Sequence, residues 1–247
     1  MNLYGLIGKS LGHSFSKNYF EKKFADESII NSAYELFELN AIEEFPELIA
    51  NHPNLKGLNI TLPYKESIIP YLDELHETAK GVGAVNTVKF HYGKTIGFNT
   101  DTWGFAKSLF PEISQFKSSA LILGNGGASK AVQFVFKKLN ITYKIVSRTS
   151  SDNILTYNQI TKDIIDNVGI IVQTTPLGMY PNVNDCVDFP FELLSLKHFC
   201  LDLVYNPIET TFLRRAKNEG TTTKNGLQML YEQAEESWKI WNNHSAY

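Results

Sequence analysis

The stretch from Ala120 to Leu139, ALILGNGGASKAVQFVFKKL, joins a short apolar run to a glycine-rich turn and then to an amphipathic helical pattern. A strand that ends in such a turn and opens a helix is the unit from which dinucleotide-binding sheets are built, and it predicts a parallel α/β layer around it. Gly124 permits the tight turn, Gly126 lets the backbone approach a pyrophosphate, and the small Ser129 stands where helix must pack closely on strand. The first amides of the helix then face the phosphates. The turn Gly124, Asn125, Gly126, Gly127 and Ala128 is therefore assigned to a cofactor, with a ligand-free strand-to-helix turn as the alternative.

Short β-rich runs alternate with helical patterns elsewhere too, as in βα units on largely parallel sheets. Residues 3–7, 33–39 and 55–61 read as strands, and 16–29 as a helix carrying Tyr19, Phe20, Phe24 and Ala25 at helical spacing, with Ser14 or Ser16 available as N-cap. Residues 84–90 and 94–98 flank His91-Tyr92-Gly93 and read as a hairpin that brings Asn86 and Asn99 into one neighbourhood. A helix from Trp103 to about Phe110 opens a second unit, with strands at 120–123, 143–146, 170–172 and 200–204, helices between them, and a last helix from Gly226 to about Trp241. The expected fold class is α/β with two domains. Residues 1–102 form an N-terminal substrate domain on a mixed, mainly parallel sheet, residues 103–225 form a Rossmann-type doubly wound cofactor domain, and the last helix (226–247) packs back on the first.

Composition narrows the partners. A chain of 247 residues with 43% hydrophobic and 20% charged residues is ordinary for a globular protein. Its net charge of −3 argues against a nucleic-acid surface. The two cysteines, Cys186 and Cys200, have no metal-ligand spacing, so no metal is expected and a reducing compartment is. No run approaches the ~20 apolar residues of a membrane span, and the start MNLYGLIGKS lacks a basic region leading into a long apolar one, so a cytoplasmic location with no membrane partner is expected. Monomer and homodimer both stay open.

Two features choose the chemistry. After the next strand comes Ser147-Arg148-Thr149, with no carboxylate before Asp152. An arginine beside a hydroxyl suits the 2′-phosphate of NADP, through charged hydrogen bonds worth roughly 1.5–3 kcal/mol each, whereas NAD asks for an acidic residue there. In LNITLPYK (58–65) and GFNTD (97–101), Lys65 and Asp101 sit among Asn59, Thr61, Asn86, Asn99 and Thr100, short polar groups suited to a small polyol. A lysine beside a carboxylate in a closed cleft can give a proton to a developing alkoxide and take it back.

These residues resemble the shikimate dehydrogenase family over nearly the whole chain. The resemblance rests on GKSLGHSFS (8–16), NITLPYK (59–65), GAVNT (83–87), GFNTD (97–101), GNGGASK (124–130), TTPLGM (174–179), DLVYNP (202–207) and NGLQMLYEQA (225–234). It implies reduction of 3-dehydroshikimate by NADPH on the way to chorismate and the aromatic amino acids. By position it implies that Ser14 and Ser16 bind the substrate carboxylate and that Asn59, Thr61, Asn86, Asp101 and Gln233 hold ring hydroxyls and carbonyl. Lys65 is then the acid/base with Asp101 orienting it, Tyr205 lies at the substrate, and Leu203 and Gly226 lie near the nicotinamide. His13 reads as structural.

The chain departs from the family pattern at Lys17, where proline is usual, at Phe20-Glu21, where His-Asn is common, at Ser147 and Gln173, where asparagine is usual, and at Asp152, where a basic residue is frequent. A carboxylate at 152 weakens the hold on the 2′-phosphate by about tenfold or more. The rival readings are a quinate/shikimate dehydrogenase using NAD, and a non-catalytic sensor of a shikimate-like ligand.

Overall fold

Leu3, Tyr4, Leu6 and Ile7 are buried one after another in β1 (Asn2–Gly8), the pattern of a strand covered on both faces. In the computed structural model, which describes residues 1–12, 14–149 and 151–242, the chain forms two compact units: Met1–Thr100 with Ala234–Tyr247, and Asp101–Gln233.

In the first unit β1 leads into α1 (Phe15–Asp26), β2 (Ser32–Glu38), α2 (Phe45–Asn51), β3 (Leu55–Ile60), β4 (Glu74–Leu75), α3 (Glu77–Val82), β5 (Thr87–His91) and β6 (Lys94–Phe98). The sheet order is β2-β1-β3-β5-β6-β4. β1 runs parallel to both β2 and β3, β4 runs parallel to β6, and the β3–β5 and β5–β6 pairs are antiparallel, so the sheet is mixed. Tyr92 and Gly93 both take positive φ, 48° and 76°, which is what a tight turn between β5 and β6 requires. One face packs Leu3, Ile7, Leu58 and Ile60, and the other packs Tyr4, Phe20, Phe24, Tyr34 and Trp241.

The second unit comprises α4 (Asp101–Ser108), β7 (Ser119–Leu123), α5 (Gly127–Lys138), β8 (Thr142–Ser147), β9 (Ile154–Thr156), α6 (Lys162–Asp166), β10 (Ile170–Gln173), β11 (Phe199–Asp202), α7 (Thr211–Asn218), β12 (Thr222–Lys224) and the start of α8 (Leu227–Asn242). Its order, β12-β11-β10-β7-β8-β9, has every pair parallel. This is the doubly wound arrangement, with its order reversing beside β7. The boundary between units falls inside α8, between Gln233 and Ala234, where the sequence reading placed it at residue 226.

Two expectations need correction. Helices do not fill every connection of the second sheet. Residues 174–198 carry only a short 3-10 turn, Phe191–Leu193, because Pro176, Pro181 and Pro190 remove the amides a helix needs. The helix expected between the strands at 143–146 and 170–172 is present as the short α6, which follows β9. The strand expected at 84–90 begins only at Thr87, since the Val85 amide bonds to the Lys65 carbonyl at 2.7 Å rather than to a neighbouring strand.

Candidate active site

The first unit gathers its short polar side chains at one end of β3 and β5. Ser14 caps α1, accepting from the Lys17 amide at 3.4 Å, so one of the two serines proposed for a carboxylate also has a helix-capping duty. No acidic residue occupies the first turn of α1, which keeps that end favourable to an anion. Ser16, the second residue of α1, hydrogen-bonds the buried Tyr34 hydroxyl, and Tyr34 in turn donates to Asn59 Oδ1 at 2.8 Å. Burial pushes the Tyr34 phenol far above its ordinary pKa, so it stays a neutral donor.

Asn59 is engaged at both ends of its amide. Besides Tyr34, its Nδ2 faces Ser237 Oγ at 3.1 Å, Thr87 Oγ1 at 3.2 Å and the Asn86 carbonyl at 3.3 Å. Asn86 Oδ1 accepts from the Thr100 amide at 2.7 Å and from the hydroxyls of Thr100 and Thr87, each at 3.2 Å. A backbone N–H must be met by the carbonyl end, so the Asn86 amide has one allowed orientation, with Nδ2 as its donor side. Asn99 belongs to the frame: its Nδ2 holds the Ala84 carbonyl at 3.0 Å.

Thr61 and Lys65 lie on the turn that follows β3. The Thr61 amide continues the ladder to Ile7 O at 2.9 Å, the Tyr64 amide closes the turn on Thr61 O at 3.0 Å, and the Tyr64 hydroxyl anchors it to Leu39 O at 2.6 Å. With the Lys65 carbonyl also held by Val85, the backbone that presents the lysine is fixed at four points. His13 lies outside the described residues.

The second unit carries the remaining candidates. Asp101 opens α4, where a carboxylate is favoured by the helix dipole. Three residues on, Gly104 lies against α8: a Cβ there would be 2.5 Å from Met229 O and 3.1 Å from Gln233 Cβ, so only glycine lets α4 approach the segment bearing Gln233. Gln233 Nε2 itself reaches Leu230 O at 2.9 Å.

The residues assigned to NADP fit a dinucleotide. Gly124 has φ 114°, and a Cβ would meet Thr174 Oγ1 at 2.6 Å, whereas around Gly126 and Gly127 nothing lies within 4 Å of an added Cβ. α5 starts there with no side-chain cap and no acid in its first turn, leaving its leading amides open to an anion. Ser147 ends β8; Arg148 and Thr149 are exposed just beyond it, and the Arg148 charge is felt by the half-buried Tyr157, whose phenol burial lifts to about 12. The structure also brings Leu203 and Gly226 together: the Gly226 amide donates to Val204 O at 3.1 Å, and a Cβ on Gly226 would sit 2.0 Å from Leu203 O.

Two residues that the sequence reading left without a role have one here. Gln173 folds the segment after β10, its amide reaching Thr175 O and Leu177 O, both at 3.1 Å. Asp202, fully buried, accepts from the Val204 amide at 3.0 Å and the Thr210 hydroxyl at 2.6 Å, stapling the loop that carries Tyr205; burial raises its pKa to about 7. Thr87 and Ser237 were also missed. Ser237 shares a helix face with Ala234, Ile240 and Trp241, all buried, and a hydroxyl on an apolar stripe is the signal that marks it. Among the described residues, no group of three or more His, Cys, Asp or Glu could hold a metal, and no helix is long and apolar enough to cross a membrane.

A doubly wound sheet with an uncapped glycine turn at its point of reversal, joined to a mixed α/β unit rich in short polar groups, defines the class of two-domain dinucleotide-dependent dehydrogenases. Residues 6–88 match the family model for the shikimate dehydrogenase substrate binding domain. Among similar curated proteins, the shikimate dehydrogenase (NADP(+)) of Aquifex aeolicus is 39% identical over 97% of this chain and 91% of its own. A crystal structure of a shikimate dehydrogenase in complex with NADP+ matches with TM-score 0.87 and 33% identity, covering 98% of this chain and 90% of that one. The Thermus thermophilus enzyme in complex with NADP(H) and shikimate matches with TM-score 0.82 and 29% identity, over 98% and 94%. The chain belongs to the shikimate dehydrogenase family.

Proposed function

We propose that this chain reduces 3-dehydroshikimate to shikimate with NADPH, a step toward chorismate and the aromatic amino acids. What carries the reading is similarity to shikimate dehydrogenases that runs through 97% of the chain and so takes in Lys65, Asp101 and the glycine turn alike. When bound, NADPH supplies the hydride. Lys65, on its pinned turn, delivers a proton to the substrate oxygen, and Asp101 is the carboxylate assigned to orient it. Ser14 and Ser16 bind the carboxylate, while Thr61, Asn86, Tyr205 and Gln233 fix the ring. Asn59, whose amide is engaged by Tyr34, Thr87 and Ser237, supports the site from behind as well.

The first unit is accordingly the substrate unit and the second the cofactor unit, with the leading amides of α5 and the pair Arg148 and Thr149 holding the phosphates. The reaction calls for a small-molecule substrate and for neither nucleic acid nor membrane. The test is absorbance of reduced cofactor in four mixtures, shikimate or quinate with NADP or NAD. Shikimate with NADP should give the highest kcat/KM; a higher value for quinate with NAD would replace the reading by its nearest rival, and silence in all four would revive the sensor.

A further inference from the structure

We propose that Ser237, on the last helix, is a positioning residue for the substrate, acting through Thr87 and Thr100 on the amide of Asn86; the inference rests on the function proposed above. Ser237 is fully buried on a helix face that otherwise packs Ala234, Ile240 and Trp241. Packing alone would be served by alanine, without the cost of taking a hydroxyl out of water.

The hydroxyl completes a closed group. Ser237 Oγ lies 2.8 Å from Thr87 Oγ1 and 3.2 Å from Thr100 Oγ1, and those two are 3.3 Å apart. Each hydroxyl has a single proton to give. Asn59 Nδ2 donates into the group at Ser237 and at Thr87, so those oxygens are already accepting and their protons turn onward. Asn86 meets the group with both ends of its amide: Oδ1 accepts from Thr87, from the Thr100 hydroxyl and from the Thr100 amide, and Nδ2 donates to Thr100 Oγ1 at 3.0 Å. Asn59 feeds the group and Asn86 closes it, with Ser237 as the corner that both threonines share.

Two proposed substrate contacts depend on that corner. The Thr100 amide decides which end of Asn86 is its oxygen, the hydroxyls of Thr87 and Thr100 set where that side chain rests, and Thr100 is the residue immediately before Asp101. Deleting Ser237 Oγ takes an acceptor from Asn59 and a common partner from Thr87 and Thr100, so the two hydroxyls must re-form their bonds around Asn86 and its amide loses its fixed setting. The cost then falls on substrate recognition, and none of it on the dinucleotide.

The experiment is steady-state shikimate oxidation by the full chain, with Ser237→Ala, Ser237→Thr and Thr87→Val, and Tm measured on each. Ser237→Ala should lower kcat/KM for shikimate about 3- to 10-fold, the equivalent of one hydrogen bond, and leave KM for NADP within about twofold. Ser237→Thr, which keeps the hydroxyl, should recover most of the loss, and Ser237→Ala combined with Thr87→Val should be no worse than the weaker single variant, as for residues acting as a unit. A Ser237→Ala protein with wild-type shikimate kinetics, whatever its Tm, overturns the inference. Should that variant fail to fold, unchanged shikimate kinetics in the near-isosteric Thr87→Val overturns it instead. A wild-type chain inactive on shikimate would bring down the functional reading and this inference together, whereas an active wild type with an indifferent Ser237→Ala brings down this one alone.

Discussion

Tyr34 donates its hydroxyl to Asn59 Oδ1 at 2.8 Å, and both residues are buried. The ring is held independently by stacking on Phe20, with centroids 4.6 Å apart. Tyr34→Phe should therefore keep its packing and leave the Asn59 oxygen short of a donor, costing about 1–3 kcal/mol of stability. Urea unfolding of the two proteins measures this; equal midpoints and slopes would show the bond contributes nothing.

Lys65 is the residue whose loss should cost most in rate. Lys65→Ala is expected to lower kcat by about 10² to 10⁴-fold, with a smaller change in shikimate binding, because the role proposed for it is on a proton in flight rather than on the bound polyol. Unchanged turnover would exclude the acid/base role.

Cofactor choice should hinge on the connection 148–153, which bears one arginine and one aspartate. Arg148→Ala should raise KM for NADP about tenfold or more while moving KM for NAD little. Asp152→Asn should shift the ratio the other way, toward NADP, most clearly at low salt, since these charges are exposed and screened. Identical NADP/NAD ratios in all three proteins would remove the connection from cofactor selection.

Asp202 gives stability a pH dependence of definite sign. Burial raises its pKa from 3.8 to about 7, so the folded chain holds this proton more tightly than the unfolded one. Its contribution is fully present below about pH 4 and is lost as pH rises through 7. Asp202→Asn, which keeps an acceptor for the Val204 amide and offers a donor to Thr210, should gain on the wild type between pH 5 and pH 8, by on the order of a few kcal/mol. Chemical unfolding at those two values checks it; a constant difference would place the carboxyl's titration elsewhere.

The parallel layer around the glycine turn was legible because Ala120 to Leu123 and the 3.6-residue period after Gly127 state their own geometry. β4, β9 and β12 were not, being edge strands too short to show an alternation. The helix expected between β10 and β11 was a misreading, since Pro176, Pro181 and Pro190 stand in that stretch and argue against it. Among the site candidates, Lys65, Asn86 and Asp101 stand in short polar strings at strand ends and could be picked out singly. Tyr34, Thr87 and Ser237 could not, because what joins them is a set of hydrogen bonds between residues far apart in the chain, and each alone looks like ordinary core or helix surface.

Trp241 fills the space above Gly57, where a Cβ would lie 2.2 Å from its Nε1, and donates that N–H to Val88 O at 3.0 Å. The sheet built from the first hundred residues thus lacks part of its interior until position 241 has been synthesised. On the ribosome the order of maturation is inverted: the middle of the polypeptide can settle first, while the amino-terminal portion waits, incompletely closed and in need of protection, for the last helix to emerge.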